Sequence, residues 1–181
     1  MEEEADYVSF MLDGRRVSGW LWRSPFRDGD VVEVAAEWRL DQHECFAIAR
    51  PSDRTIALYP HCTRTIRPHI LNAIKWWIYA SLFFELVLLA IASTMDPMTT
   101  KQVYTRTFSA GGGWVLAGIH GFMAVAAYSM TRNWIPFTHI AENGFVLLEL
   151  PNASKIDLVK SSRGKHQPND TFEFGAMYFR Y

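Results

Sequence analysis

Two stretches decide the fold: WWIYASLFFELVLLAIASTM at Trp76–Met95 and GWVLAGIHGFMAVAAYSM at Gly113–Met130. The first is 20 residues with one charge, Glu85, at its middle; the second is 18 residues with no formal charge and one His120. A helix needs roughly 20 apolar residues to cross about 30 Å of hydrocarbon, so both are long enough to span. In the first run, nine Leu, Ile, Val or Phe side chains favour insertion by roughly 3–5 kcal/mol, against about 3 kcal/mol for a central Glu. The second run is poorer in such residues, so the two are expected to insert as a pair. Gly113, Ala117 and Gly121 recur at four-residue spacing, which offers a smooth face for close helix packing. Glu85 and His120 fall at similar depths of an antiparallel hairpin and are expected to pair, within the hairpin or between protomers of a homo-oligomer.

Aromatic and charged residues flank the runs in the pattern of a bilayer boundary. Trp76, Trp77 and Tyr79 mark one end of the first helix, and Trp114 and Trp134 lie near the two ends of the second. Arg64, Arg67 and Lys75 precede the first run with no acid between residues 60 and 75, and Arg132 follows the second. The connecting loop carries Asp96, Pro97, Lys101 and Arg106. By the positive-inside rule both termini are expected in the cytoplasm. A soluble form with the helical pair docked on protein is the competing expectation.

Outside the hairpin the chain reads as short strands and turns. Tyr7–Leu12, a turn at Asp13-Gly14, Val17–Trp22, Val31–Trp38, Cys45–Ala49 and Thr55–Tyr59 follow in order, with a polar turn at Leu40–His43. Beyond the hairpin, Ile135–Ile140 and Phe145–Leu150 read as strands, the latter opened by Asn143-Gly144, and Thr171–Tyr181 as an aromatic strand pairing with the N-terminal ones. The predicted class is α+β: a small curved antiparallel sheet or barrel, residues 1–70 and 134–181, interrupted by the helical hairpin at 71–133. Mean hydropathy of −0.04 suits two apolar helices joined to a polar module.

Charge is uneven. Residues 1–44 hold eleven acids against five bases, while the remainder holds eight against thirteen. With a net charge of −1 there is no basic surface that argues for nucleic acid. Asp28, Asp30, Glu33 and Glu37 form the candidate partner-binding acids; they also read simply as a solvated sheet face. His43, Cys45, His61, Cys62 and His69 are the nearest approach to a metal cluster, but their spacing matches no zinc signature. Two cysteines make no disulfide framework. Gly111-Gly112-Gly113 lacks the lysine of a phosphate loop, and no nucleophile elbow or His-Glu-x-x-His helix is present. Neither an enzyme nor a cofactor is expected.

Several segments carry a resemblance. Ser18-Gly19-Trp20-Leu21-Trp22-Arg23-Ser24-Pro25-Phe26-Arg27-Asp28-Gly29-Asp30-Val31-Val32, then Phe46–Pro51, Ile56–Cys62, Lys75-Trp76-Trp77 and Tyr178–Tyr181, resemble a bacterial family associated with type VI secretion. Its members commonly bear an effector label, and at least one is similar to an immunity protein that neutralises a restriction-endonuclease-like toxin. The resemblance implies a non-enzymatic module that binds and inhibits a cognate nuclease toxin in bacterial competition. It implies no catalytic residue. The other functions in view are an effector, or a membrane protein of the secretion locus, acting through the hydrophobic hairpin.

Overall fold

The structure, a computed structural model, describes residues 5–39, 42–95, 99–109 and 111–181. Leu40, Asp41, Asp96 and Pro97, which fall in two of the turns read above, lie outside them. Strands β1 (Asp6–Leu12), β2 (Arg15–Leu21), β3 (Glu33–Arg39), β4 (Gln42–Arg50) and β5 (Thr55–Leu58) precede helix α1 (Ile66–Met95). There follow α2 (Thr100–Tyr104), a π-helical turn at Thr105–Ser109, α3 (Gly112–Leu147), a short turn of helix at Ala153–Lys155, α4 (Leu158–Ser161) and β6 (Tyr178–Arg180). The fold is α+β with two long apolar helices. The chain divides into two compact units, Met1–His69 with Ile135–Tyr181, and Ile70–Trp134.

In the first unit six strands form one mixed, open sheet in the order β1-β2-β4-β5-β6, with β3 also on β4. The barrel and the all-antiparallel arrangement are therefore corrected. β2 runs parallel to β4 at Val17↔His43 and Ser18↔Glu44, while β5 runs antiparallel to β4 along Ala47–Arg50. Because β3 occupies the other edge of β4 over its whole length, β2 and β5 share one edge in tandem, and the sheet forks instead of closing. The fork needs Gly19. A Cβ there would run into the Cys45 carbonyl oxygen and lie 2.8 Å from its Sγ.

The β1–β2 turn has positive φ at both Asp13 and Gly14, the geometry that a two-residue hairpin loop demands. A bulge shifts the β3–β4 register between Ala35 and Ala36, leaving Phe46 without an opposite partner. One face of the sheet buries Ala47, Ala49, Ile56, Leu58 and Phe179 against Ala141, Phe145, Leu148 and Leu158. The other buries Val17, Leu21, Cys45, Ile48 and Tyr178 beneath Val8, Phe10 and Phe26. Each large apolar side chain so buried contributes roughly 1.5–3 kcal/mol.

Ile135–Ile140 and Phe145–Leu150 are not strands. Ile135–Leu147 belongs to α3, which continues through Pro136, Asn143-Gly144 is helical instead of a turn, and Leu148–Leu150 forms the turn after the helix. Burial at Thr138, Ala141, Gly144, Phe145 and Leu148 follows the three- and four-residue spacing of a helix face seated on the sheet. That packing outweighs the hydrogen bond lost at Pro136. Gly144 permits the approach, since a Cβ there would meet the Phe46 ring at 3.3 Å. α3 then stops in a Schellman motif: Leu150 N–H donates to the Phe145 carbonyl, Glu149 N–H to that of Val146, and Glu149 sits at φ 51°.

The aromatic C-terminus does pair with an N-terminal strand, but only Tyr178–Arg180 is extended, on β5. α1 begins ten residues before the apolar run, directly after Thr65, whose hydroxyl donates to the carbonyls of Ser154 (2.9 Å) and Ile156 (3.2 Å). Pro68 is tolerated because it lies in the first turn, where its missing N–H has no partner to lose.

In the second unit Lys101 and Arg106 lie on α2 and the π turn, not in an irregular loop. Gln102 caps that segment by accepting from Thr99 N–H at 2.8 Å. Both long helices are long and apolar enough to cross a membrane, and almost none of either apolar window is buried. Leu82, Phe83, Phe84, Leu86, Leu88 and Leu89 of α1 are exposed around its circumference, as are Val115, Phe122 and Val125 of α3.

Candidate partner-binding groove

Three features of sequence combine to leave a groove in the first unit. Ala35 and Ala36 are small, the bulge lifts Phe46 toward α3, and Gly144 lets the helix settle on that ring. Alongside, Pro136, Phe137, Ile140, Asn143 and Leu147 form a helical stripe that faces the β3–β4 surface without filling the space. The result is an open groove of about 710 Å³, with Ala36, Phe46, Tyr59 and the α3 stripe as its walls. Val146 and Leu147 stand beside it, each 59% exposed. Its rim is charged: Arg39 Nε lies 3.6 Å from Glu37 Oε2 and 3.4 Å from Glu44 Oε2, all three well exposed. β3 pairs with β4 alone among the described strands, so the groove borders an unpaired strand edge.

The four acids do not share one environment. Glu33 and Glu37 are exposed on β3, and Asp28 is exposed in the turn before it. Asp30 is engaged internally: it accepts from Arg27 N–H (3.0 Å) and from Arg50 Nη1 (2.6 Å), and these bonds hold its carboxyl below the usual carboxylate range. Arg50 also grips Asp53 with two bonds, Nε to Oδ1 at 3.1 Å and Nη2 to Oδ2 at 2.8 Å. With the Thr55 hydroxyl and N–H adding two more, the Asp53 carboxyl is lowered to about 2.

This is the start of a charge network that the strand pattern did not reveal. Arg180, almost fully buried, clasps Asp170 through Nη1 at 2.6 Å and Nη2 at 2.7 Å, and its guanidinium lies 4.7 Å from the Phe174 ring centre. Arg23 bridges Asp6 (3.2 Å) and Glu173 (2.7 Å). Arg23, Phe26, Asp30, Arg50 and Arg180 all take part, Phe26 through the Arg50 guanidinium 5.7 Å from its ring centre. In this chain those residues bind the C-terminal segment and the loop after β2 to the sheet. The one signal in the sequence was that so many Arg and Asp sit in otherwise apolar strands and turns.

The histidines and cysteines do not converge: among the described residues no three His, Cys, Asp or Glu side chains come together as a metal site. His43 packs on Trp38, and His61 lies between Trp22 and Phe137. Cys45 and Cys62 are buried free thiols, raised by burial to about 11 and about 12.

In the second unit His120 Nε2 lies 2.8 Å from Glu85 Oε1, and Trp77 Nε1–H donates to the His120 carbonyl at 3.2 Å. Ser81, one turn from each of Trp77 and Glu85, is fully buried on the same face of α1. Gly113 has the Thr107 carbonyl 3.4 Å from where a Cβ would be, Gly121 has open space there, and Ala117 is exposed.

No protein-family model matches the chain, no curated protein matches it, and no solved structure matches its fold.

Proposed function

We propose that this chain is a membrane-tethered immunity protein: a non-catalytic module that binds a cognate nuclease toxin of a bacterial type VI secretion system. The observation that carries the reading is the pairing of two kinds of surface in one chain. One unit offers an open, acid-rimmed groove beside a free strand edge, a protein-binding feature. The other offers two helices whose exposed surface is largely apolar, which suits hydrocarbon and not water. The resemblance to a type VI secretion family supplies the partner's class. A nuclease must present a basic surface to its substrate's phosphates, which complements Glu33, Glu37 and Glu44.

Both termini lie in the cytoplasm in this reading, because Arg64, Arg67, Lys75 and Arg132 flank the membrane on the module's side. The toxin would then be met where its substrate is. The test is co-expression with the nuclease toxin of the same secretion locus, scoring survival and DNA integrity, followed by co-purification from detergent. Rescue with complex formation is the expected result. Toxicity from this chain alone would sink the proposal and favour an effector acting through its hairpin.

A further inference from the structure

We infer that the groove between β3 and the end of α3 is filled by an extended, basic segment of the protein partner. That segment lies along the free edge of β3 and seats one apolar side chain against Leu147, Ile140 and Phe46. The inference rests on the reading that this module binds a protein, and it specifies what that protein must present.

Four observations select the occupant. First, β3 is seven residues long and among the described strands is paired on one side only, which is a template for an added strand. β3, Glu-Val-Ala-Ala-Glu-Trp-Arg, has no proline, so every residue of the strand keeps its backbone N–H. Second, the groove of about 710 Å³ is walled by aliphatic and aromatic groups, room for an apolar anchor that would bury Val146 and Leu147. Third, the exposed charges on this side of the strand are Glu33 and Glu37, with Glu44 beyond. Arg39, the one base there, is already shared between Glu37 and Glu44. A partner strand carrying Lys or Arg opposite these acids gains roughly 0.2–1 kcal/mol per cross-strand pair, and one carrying acids loses it.

Fourth, the same charges disfavour a second copy of this chain. An antiparallel β3–β3 pairing centred on Ala35 would set Glu33 of each strand against Glu37 of the other, and the register centred on Ala36 gains a Glu33–Arg39 pair only by drawing Arg39 away from Glu37 and Glu44. A nucleic-acid strand meets the same repulsion. A lipid acyl chain would suit the apolar walls but leaves the strand edge and the acids without a role.

The test uses the full chain in nanodiscs of phosphatidylcholine alone, so that basic probes find no anionic lipid. Two seven-residue peptides serve as probes, each alternating Val with a charged residue around a central Phe, one built with Lys and one with Glu. The Lys peptide is expected to bind at least about tenfold more tightly than the Glu peptide and to slow amide exchange in β3. Leu147→Lys and Glu37→Lys, both at exposed positions, are each expected to weaken that binding at least about tenfold, while Asp28→Lys leaves it unchanged. Equal binding of the two peptides, exchange protection elsewhere than β3, or affinity indifferent to Leu147→Lys overturns the proposal. Co-purification of the toxin with each variant separates the two readings. Retention by Leu147→Lys and Glu37→Lys defeats the groove alone. Failure of the toxin to bind the unaltered chain, with peptide binding intact, defeats the immunity reading alone.

Discussion

Single residues carry the junctions of this fold, and Gly19 is the most exacting of them. Its backbone lies so near Cys45 that any side chain must displace the β4 main chain, which has no room to move between β2 and β3. Gly19→Ala is expected to cost about 2–4 kcal/mol. It should appear as a lowered melting temperature in detergent and faster alkylation of the otherwise buried Cys45 thiol. Arg180 is a second such point. Removing it leaves the Asp170 carboxylate buried and uncompensated, so Arg180→Met is expected to cost about 3–5 kcal/mol, whereas the double change Arg180→Met/Asp170→Leu costs less. The network also sets the acid limit of stability. Asp53, Asp170 and Asp30 all have folded-state pKa values below the ordinary 3.8, because arginine and backbone N–H bonds favour their charged forms. Their contribution is therefore complete above about pH 4 to 5 and is lost as pH falls through 3.8 toward the folded values, near 2 for Asp53. Asp53 alone contributes on the order of 1 kcal/mol after allowance for solvent screening. Thermal melts at stepped pH should be flat down to that range and then fall. A stability loss already complete at pH 6 would remove these carboxylates from the account.

At the scale of elements, what was legible depended on whether the signal was local. The Asp13-Gly14 turn was readable because two positive φ values leave few residue choices, and the two strands it joins followed from alternation. The apolar helices were readable because no water-soluble surface has their composition. Ile135–Leu150 was not. Ile, Phe, Thr, Val and an Asn-Gly pair are strand and turn signals over six residues, yet the segment continues a helix that is already nucleated upstream and buries one face against the sheet. The groove depends on that same helix, so it too was hidden: its acids were visible, but its apolar wall was assigned to strands. Likewise Asp30 looked equivalent to Glu33 and Glu37, and only the position of Arg50 on β4, twenty residues away, withdraws it from the surface. The helix end offers a direct check. Glu149 holds the left-handed conformation that glycine adopts without strain, and its side chain is exposed. Glu149→Gly is expected to raise stability by about 0.5–1 kcal/mol, read as a higher melting temperature. Were residues 145–150 a strand instead, the same change would weaken it.

For the whole molecule the question is whether the helical pair serves as an anchor or performs the function itself. Exposure of apolar side chains over most of α1 from Trp76 onward and over the Gly112–Trp134 part of α3 points to surroundings other than water, and carbonate extraction is expected to leave the full chain with the membrane pellet. The Glu85–His120 contact is the feature that argues for more than anchoring, since ionisable residues within an apolar helix pair are often functional. Its surroundings favour a structural role. Trp77 donates to the His120 carbonyl from the same face of α1, Ser81 on that face is fully buried, and the pair satisfies part of a polar demand that a lone Glu would leave unmet. An anchor needs the two helices to stay together but has no use for the charge itself. On the proposed immunity reading, Glu85→Leu/His120→Leu is therefore expected to remain in the membrane fraction and to match the unaltered chain in the survival assay. Glu85→Leu alone, which removes the carboxylate facing His120, should weaken the hairpin, seen as increased protease sensitivity at Thr99–Ser109. If the double variant stays in the membrane and binds toxin yet fails to protect, the pair has a role that anchoring does not explain. The hairpin, not the groove, would then be the part of this protein that acts.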